Sequence, residues 1–331
     1  MELDMDKLRI AIVGAGGWGY QHARAFSARR DAQIVAFAGR NYERTKRRAD
    51  EFCANCCTDI EEMLEKEKPD LVSLCLPAQH TFEATMKVIQ AGYPLFVEKP
   101  LAYDLGEART MIAEAQKRDL FFAIDFEQKY SIPCLKARRA IESGDLGDII
   151  YAHWRFGHGW GGKMNHPQTN LIEAQCHGIN MLESLCGPIS SVMAEMTDKG
   201  GKDSYSSFVL SLRFKSGAVG SFLATMDANT NNRLCQLIEI GGSRGRILIE
   251  DNVQRYSFQR NDSDTEEIWR AGFFDDDGRS FNKSLDRYLE DMLSAFKKGE
   301  KPPVPATEGL RALEIAYAAV ESFETGKRIE T

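Results

Sequence analysis

A short apolar run, Leu8 to Val13 (LRIAIV), leads directly into Gly14-Ala15-Gly16-Gly17-Trp18-Gly19, and no other feature restricts the fold of this chain as strongly. β-Branched residues in a brief apolar run predict a buried strand, and glycines at these three spacings predict a tight turn into a helix. Gly14 makes the turn, Gly16 admits close approach of the backbone to a ligand, and Gly19 lets the helix pack against the strand. A helix start also directs unpaired N–H groups at an anion. The motif therefore predicts a pyrophosphate cradle for a dinucleotide, with Gly14, Gly16, Gly17, Trp18 and Gly19 against the cofactor.

Strand-like and helix-like segments alternate beyond this motif. Apolar runs at 33–38, 70–76, 94–97 and 120–126 read as strands, and helical spacing covers 81–92 and 105–118. Such alternation implies βαβ units, right-handed crossovers and a parallel sheet. After Phe126 the pattern changes. Helices are expected near 132–143 and 170–185, a strand at 149–156, and hairpins from SFVLSLRF with AVGSFLATM and from CQLIEIGG with RGRILIED. The expected fold is α/β: a doubly wound Rossmann domain over 1–124, then an α+β domain over 125–331 with a large, mostly antiparallel open sheet. A last helix at 308–326 is expected to pack back near the first domain. QRNDSDTEE (259–267) and FDDDGRS (274–280) read as acidic loops.

Composition narrows the function. A chain of 331 residues has room for two domains, and 42 Lys+Arg against 49 Asp+Glu leave a formal charge of −7. That balance argues against a nucleic-acid or anionic-membrane partner, which needs clustered cations. No segment approaches the ~20 apolar residues of a membrane span. The N-terminus is acidic where a signal peptide is basic, so a cytoplasmic location is expected. Eight cysteines are too dilute for a disulfide scaffold, and Cys53, Cys56 and Cys57 lack the second pair or nearby His of a tetrahedral site. An irregular set of Glu173, His177, His153, His158 and His166 does not match a metal-ligand spacing either, and no metal is expected.

In an NAD site an acid ends the second strand and holds the ribose 2′-hydroxyl. Here FAGRNYERTKRR puts Gly39 and then Arg40 at that place. Arg40, with Arg44, can pair with a 2′-phosphate that a carboxylate would repel, so NADP is favoured over NAD. The alternative is a pair of solvated charges at a helix start.

At Glu98-Lys99-Pro100 the sequence resembles the Gfo/Idh/MocA oxidoreductases. The likeness runs through VGAGGWG with His22 on the following helix, AGYPLFVEKPLA, DFEQKYS, ESGDLGDI, a helix with Glu173 and His177, and the closing GLRALEIAYAAVESFETGKRI. The resemblance implies hydride transfer between a nicotinamide cofactor and a hydroxyl or carbonyl carbon, usually of a sugar or polyol. It implies Lys99 beside substrate and nicotinamide, His177 as acid/base, and Glu98, Pro100, Pro77 and Gln79, or its neighbour His80, near the cofactor. It further implies a homodimer or homotetramer, assembled through the exposed face of the second sheet.

These roles agree with elementary chemistry. Oxidising a carbinol needs a base near neutrality, for which imidazole is suited, and a cation to stabilise developing alkoxide charge. Glu173, four residues before His177 on a predicted helix, would share its face and orient it or bind a substrate hydroxyl. Relatives carry Asp there in a glycine-rich setting, whereas this chain reads LIEAQCHGIN. Trp154, His158 and Trp160, from HWRFGHGWGGKMNHPQ, offer aromatic faces and hydrogen-bonding edges to a sugar, with sheet packing as the alternative. Glu127, in DFEQKY, either approaches the substrate or belongs to a hinge. A cofactor- or sugar-sensing protein without turnover, and a reductase of a non-sugar substrate, are the competing readings.

Overall fold

The computed structural model describes residues 7–159, 161–228 and 234–331. The chain divides into two compact units, one of residues up to Asp125 together with Leu285–Leu310, the other of Phe126–Ser284 with Arg311–Thr331.

The first unit alternates β1 (Leu8–Val13), α1 (Gly17–Ser27), β2 (Ala32–Ala38), α2 (Tyr42–Glu51), β3 (Asn55–Cys57), α3 (Ile60–Glu67) and β4 (Leu71–Leu74). A 3₁₀ turn at Ala78–His80 then runs into α4 (Thr81–Gln90), followed by β5 (Leu95–Val97), α5 (Leu105–Lys117) and β6 (Phe122–Ile124). The six strands are parallel in the order β3-β2-β1-β4-β5-β6. Side chains such as Ile10, Ile12, Phe37 and Phe96 are buried, as expected for strands covered on both faces. Asn41, Asp59 and Asp104 start α2, α3 and α5 by accepting a bond from the N–H three residues on. Because β1 pairs with both β2 and β4, the strand order reverses there, opening a crevice at the carboxyl ends.

Strand β3 does not register in the sequence pattern, being only three residues long. It carries Cys56 and Cys57, whose thiol pKa values burial pushes up, so these are strand residues with little thiolate character. Residues 285–310, assigned from sequence to the second domain, group with the first unit. Tyr288 packs edge-on against Phe96 at 5.6 Å and donates its hydroxyl to Ile124 O at 2.8 Å, while Ala306 N–H donates to Phe122 O.

The second unit contains α6 (Ile132–Glu142), β7 (Ile149–Gly157), a π-helix at Asn170–Ala174, α7 (Cys176–Cys186), β8 (Ile189–Thr197), β9 (Ser207–Phe214) and β10 (Val219–Thr225). There follow β11 (Gln236–Gly242), β12 (Gly245–Glu250), β13 (Arg255–Arg260), β14 (Glu266–Trp269) and α8 (Asp276–Arg279); α9 (Asn282–Lys297) and α10 (Thr307–Thr325) cross the unit boundaries, and β15 (Ile329–Glu330) ends the chain. The sheet order is β14-β13-β12-β11-β7-β10-β9-β8-β15, antiparallel except where β7 meets β10. Both predicted hairpins form. The 259–267 stretch, read as a loop, is the turn of a further hairpin whose ends belong to β13 and β14. In β9, Phe208, Leu210, Leu212 and Phe214 face the core while Val209 is exposed, the period-2 signature of a sheet covered on one side.

Candidate functional site

The first unit holds a cavity of about 380 Å³ whose walls include Gly14, Gly16, Arg40, Arg44, Pro77 and His80. The three glycines divide their duties as the spacing requires. Gly14 has φ +109°, and a Cβ there would lie 2.2 Å from Cys75 O, so only glycine makes this turn. A Cβ at Gly19 would lie 2.0 Å from Gly14 O, which lets α1 sit close on the turn. At Gly16 and Gly17 a Cβ would meet nothing within 4 Å, leaving open space beside the start of α1. The first turn of α1 contains no acid to repel an anion. Open backbone, a helix N-terminus and two guanidinium groups, Arg40 just beyond β2 and Arg44 in the first turn of α2, fit a dinucleotide.

The other residues expected near the cofactor divide differently. Gln79 is exposed and is not among the residues lining the cavity, whereas its neighbour His80 is; the 3₁₀ turn rotates one inward and the other out. Trp18 is half exposed on the second position of α1 and is not among the lining residues. Glu98 was expected to shape the cofactor face, but its carboxylate turns into the protein. Oε1 lies 3.0 Å from His22 Nε2, and Oε2 accepts from the Lys99 backbone N–H at 3.1 Å. Pro100 is buried behind it.

His22, Glu98 and Asp125 form a buried network; the sequence pointed to His22 and Glu98 separately, and Asp125 carried no signal of its own. His22 Nε2 is 3.1 Å from Asp125 Oδ2 and Nδ1 is 2.8 Å from Ser73 Oγ, so residues from α1, β4 and the ends of β5 and β6 meet at one imidazole. Burial by itself would lower the His22 pKa, but Cys75, Asp125 and Glu98 outweigh it and hold the pKa well above the ordinary value. Burial also pushes Asp125 up to about 6, against the pull of His22. The three candidate ligand atoms lie within 4.8 Å of one another. Hydrogen bonds join all three through the imidazole, so the set forms a buried polar strut. It fixes the backbone from which the half-buried Lys99 side chain projects.

In the second unit a 3₁₀ turn, Glu127–Tyr130, buries Glu127 to 2 % exposure. His177, on α7 and 7 % exposed, has Nε2 3.9 Å from Glu127 Oε2 and packs edge-on against Phe126 at 5.7 Å. Glu127 is thus the carboxylate that stands against His177, a pairing across fifty positions that spacing along one helix does not reveal. Glu173 lies on the π-helix, where Gln175 N–H donates to Asn170 O at 3.0 Å, and His177 lies on the α-helix beyond it. The change of winding invalidates the same-face argument, which assumes one regular helix. The charge of Glu173 acts on His166, whose pKa burial lowers and Glu173 partly restores.

Trp154 packs in the sheet and is not available to a sugar. It is 1 % exposed, stacks on Phe222 at 5.6 Å, donates Nε1–H to Gln175 Oε1 at 3.1 Å, and presents no surface to a ligand. Alternation along β7 carries the signal, since Ala152 and Trp154 share the inward face. His158 is half-buried after β7. Trp160 lies outside the described residues.

Residues 8–126 match a family described as an oxidoreductase family with an NAD-binding Rossmann fold, and 138–331 match its C-terminal alpha/beta domain. The chain belongs to the Gfo/Idh/MocA oxidoreductase family. Membership makes it an NAD(P)-dependent oxidoreductase. Among Gfo/Idh/MocA relatives, myo-inositol 2-dehydrogenase of Thermotoga maritima is 25% identical over 341 residues, covering 98% of each chain. A scyllo-inositol 2-dehydrogenase (NADP(+)) of Bacillus subtilis is 23% identical, covering 98% of this chain and 96% of its own. Levoglucosan dehydrogenase, solved with NADH and levoglucosan, superposes with a TM-score of 0.88 at 20% identity over 98% of this chain and 99% of its own, which shows the shared fold. No helix among the described residues is long and apolar enough to cross a membrane.

Proposed function

We propose that this protein is an NADP-preferring dehydrogenase of a sugar or polyol. The observation that carries the cofactor choice is the cavity wall at the end of β2, where Arg40 and Arg44 stand and Gly39 replaces the acid that would select NAD. The substrate class is supported by the inositol and levoglucosan dehydrogenases that the chain resembles.

In this reading the glycine turn and the start of α1 hold the pyrophosphate, and Arg40 with Arg44 pairs the 2′-phosphate. A nicotinamide bound there would supply the hydride acceptor for oxidation and the donor for reduction. His177 takes the proton of the substrate hydroxyl during oxidation and returns it during reduction. Glu127, buried at 3.9 Å, stabilises the imidazole in its protonated form. Lys99 places an ammonium at the reacting oxygen, lowering the cost of the alkoxide or polarising the carbonyl. Glu173 and His158 bind substrate hydroxyls. The exposed side of the second sheet, with Met193, Val209, Val219 and Leu223 turned outward, forms the contact of a homodimer or homotetramer.

The test is turnover followed at the reduced-nicotinamide absorbance with inositols, glucosides and levoglucosan, using NADP and NAD in parallel. Lys99→Ala and His177→Ala are each expected to lower kcat by roughly 10² or more. NADP binding, measured by calorimetry, should persist in both. Near-normal rates in both variants would reject the assigned roles.

A further inference from the structure

Gly39 is more than an absent acid. It is not among the glycines with positive φ, so its backbone accepts an ordinary L-residue. The obstacle is Thr45. A Cβ at position 39 would lie 2.5 Å from Thr45 Oγ1, with Thr45 Cβ and Cγ2 at 3.7 and 3.8 Å.

Thr45 cannot easily move aside. It is 1 % exposed, and its hydroxyl donates to Asn41 O at 2.8 Å while lying 3.3 Å from Gly39 O. A β-branched residue in a helix has few χ1 states, and this bond selects one. Asn41 Oδ1 in turn accepts from Arg44 N–H at 2.9 Å, so the same short turn sets the backbone of both arginines. Gly39, Arg40, Arg44 and Thr45 all line the cavity.

We infer that Thr45 is a specificity-determining residue: by occupying the volume that a side chain at position 39 requires, it excludes an NAD-selecting acid and reserves the strand end for Arg40 and Arg44. The inference deepens the NADP assignment and rests on it.

The test measures Kd for NAD+ and NADP+ by calorimetry on the full chain, without substrate, for wild type, Gly39→Asp, Gly39→Asp/Thr45→Ala and Gly39→Asp/Thr45→Val. Valine puts a methyl where the hydroxyl was, so it keeps the steric block and removes only the hydrogen bond. The Thr45→Ala double variant is expected to shift the NADP/NAD preference towards NAD by about tenfold beyond Gly39→Asp alone, the scale of a charged hydrogen bond. The Thr45→Val double variant should stay near Gly39→Asp. An equal shift in Gly39→Asp alone, or equal behaviour of the alanine and valine backgrounds, would overturn the inference. Should Gly39→Asp fail to fold, Gly39→Ala is compared by melting in both backgrounds; its Tm should fall with Thr45 present and recover with Thr45→Ala, and equal falls would overturn the idea. A wild type that binds NAD more tightly would instead reject the NADP assignment, while the dependence on residue 45 would still be read from the variants.

Discussion

Gly178 follows His177 on α7, and replacing it with alanine sets two opposing effects against each other. In a helix interior Gly→Ala is favourable by up to about 1 kcal/mol. The added Cβ, however, would lie 2.4 Å from Trp154 Cε2 and 2.7 Å from both Trp154 Cζ2 and Phe222 Cζ. Carbon atoms rest about 3.5–4.0 Å apart, so both rings must give way by about 1 Å. Neither has room, since Trp154 and Phe222 are fully buried and stacked on one another. Overpacking costs about 1–3 kcal/mol, and loss of the indole bond to Gln175 adds about 1 kcal/mol. The balance is a net destabilisation of about 2 kcal/mol, or about 4–8 °C in Tm for a domain of this size. Thermal unfolding of the full chain, followed by tryptophan fluorescence, measures it. In a Trp154→Leu background the cost should shrink, because neighbouring substitutions couple. A Gly178→Ala protein as stable as wild type, or more so, would refute the packing argument and with it the reason α7 lies where it does.

Gly19→Ala and Gly16→Ala should separate architecture from binding. The first drives a Cβ to 2.0 Å from Gly14 O and should lower both Tm and dinucleotide affinity; the second, with nothing within 4 Å, should spare Tm and weaken affinity alone. Equal melting temperatures in the two variants would contradict the division of duties. Asp125 gives a pH test. Its folded pKa of about 6 exceeds the reference 3.8, so the native state keeps a proton the unfolded chain has released. Its contribution to stability is therefore complete below about pH 4 and declines as pH rises towards 6. The raised His22 pKa acts in the same direction, from the unfolded value of 6.5 upward. Asp125→Asn should remove the pH 4–6 decline, seen as a difference between the two stability profiles in urea; parallel profiles would show that Asp125 is not the group involved.

Much of the first unit was legible because most of its strands are continuous apolar runs and α4 and α5 carry helical spacing, whereas α2 and α3, capped by Asn41 and Asp59, gave no such pattern. Local signals fail where the cause is not local. Strand β3 is too short to show a period, and β14 is largely exposed, so its polar residues look like loop. The roles of Gly14, Gly16 and Gly19 follow from spacing, and Arg40 and Arg44 do line the cavity. The inward turn of Glu98 and the approach of Glu127 to His177 depend on contacts between elements distant in sequence. The π-helix at Asn170–Ala174 could not be inferred from a spacing rule that assumes uniform winding. Of the two readings open for Trp154, sheet packing holds, because the alternation of β7 turns it inward.

The placement of β7 at the middle of its sheet bears on biosynthesis. Its partner residues lie far along the chain: His153 meets Ser221 at a separation of 68, and Tyr151 meets Glu239 at 88. Closing loops of that length costs about 4 kcal/mol in chain entropy before any pairing compensates. A nascent chain emerging from the ribosome carries this strand with both edges bare until β10 and β11 have been translated, and bare apolar edges recruit other chains. Lesions in β7 should therefore appear first as lost soluble yield at high expression temperature, before any change in the purified protein.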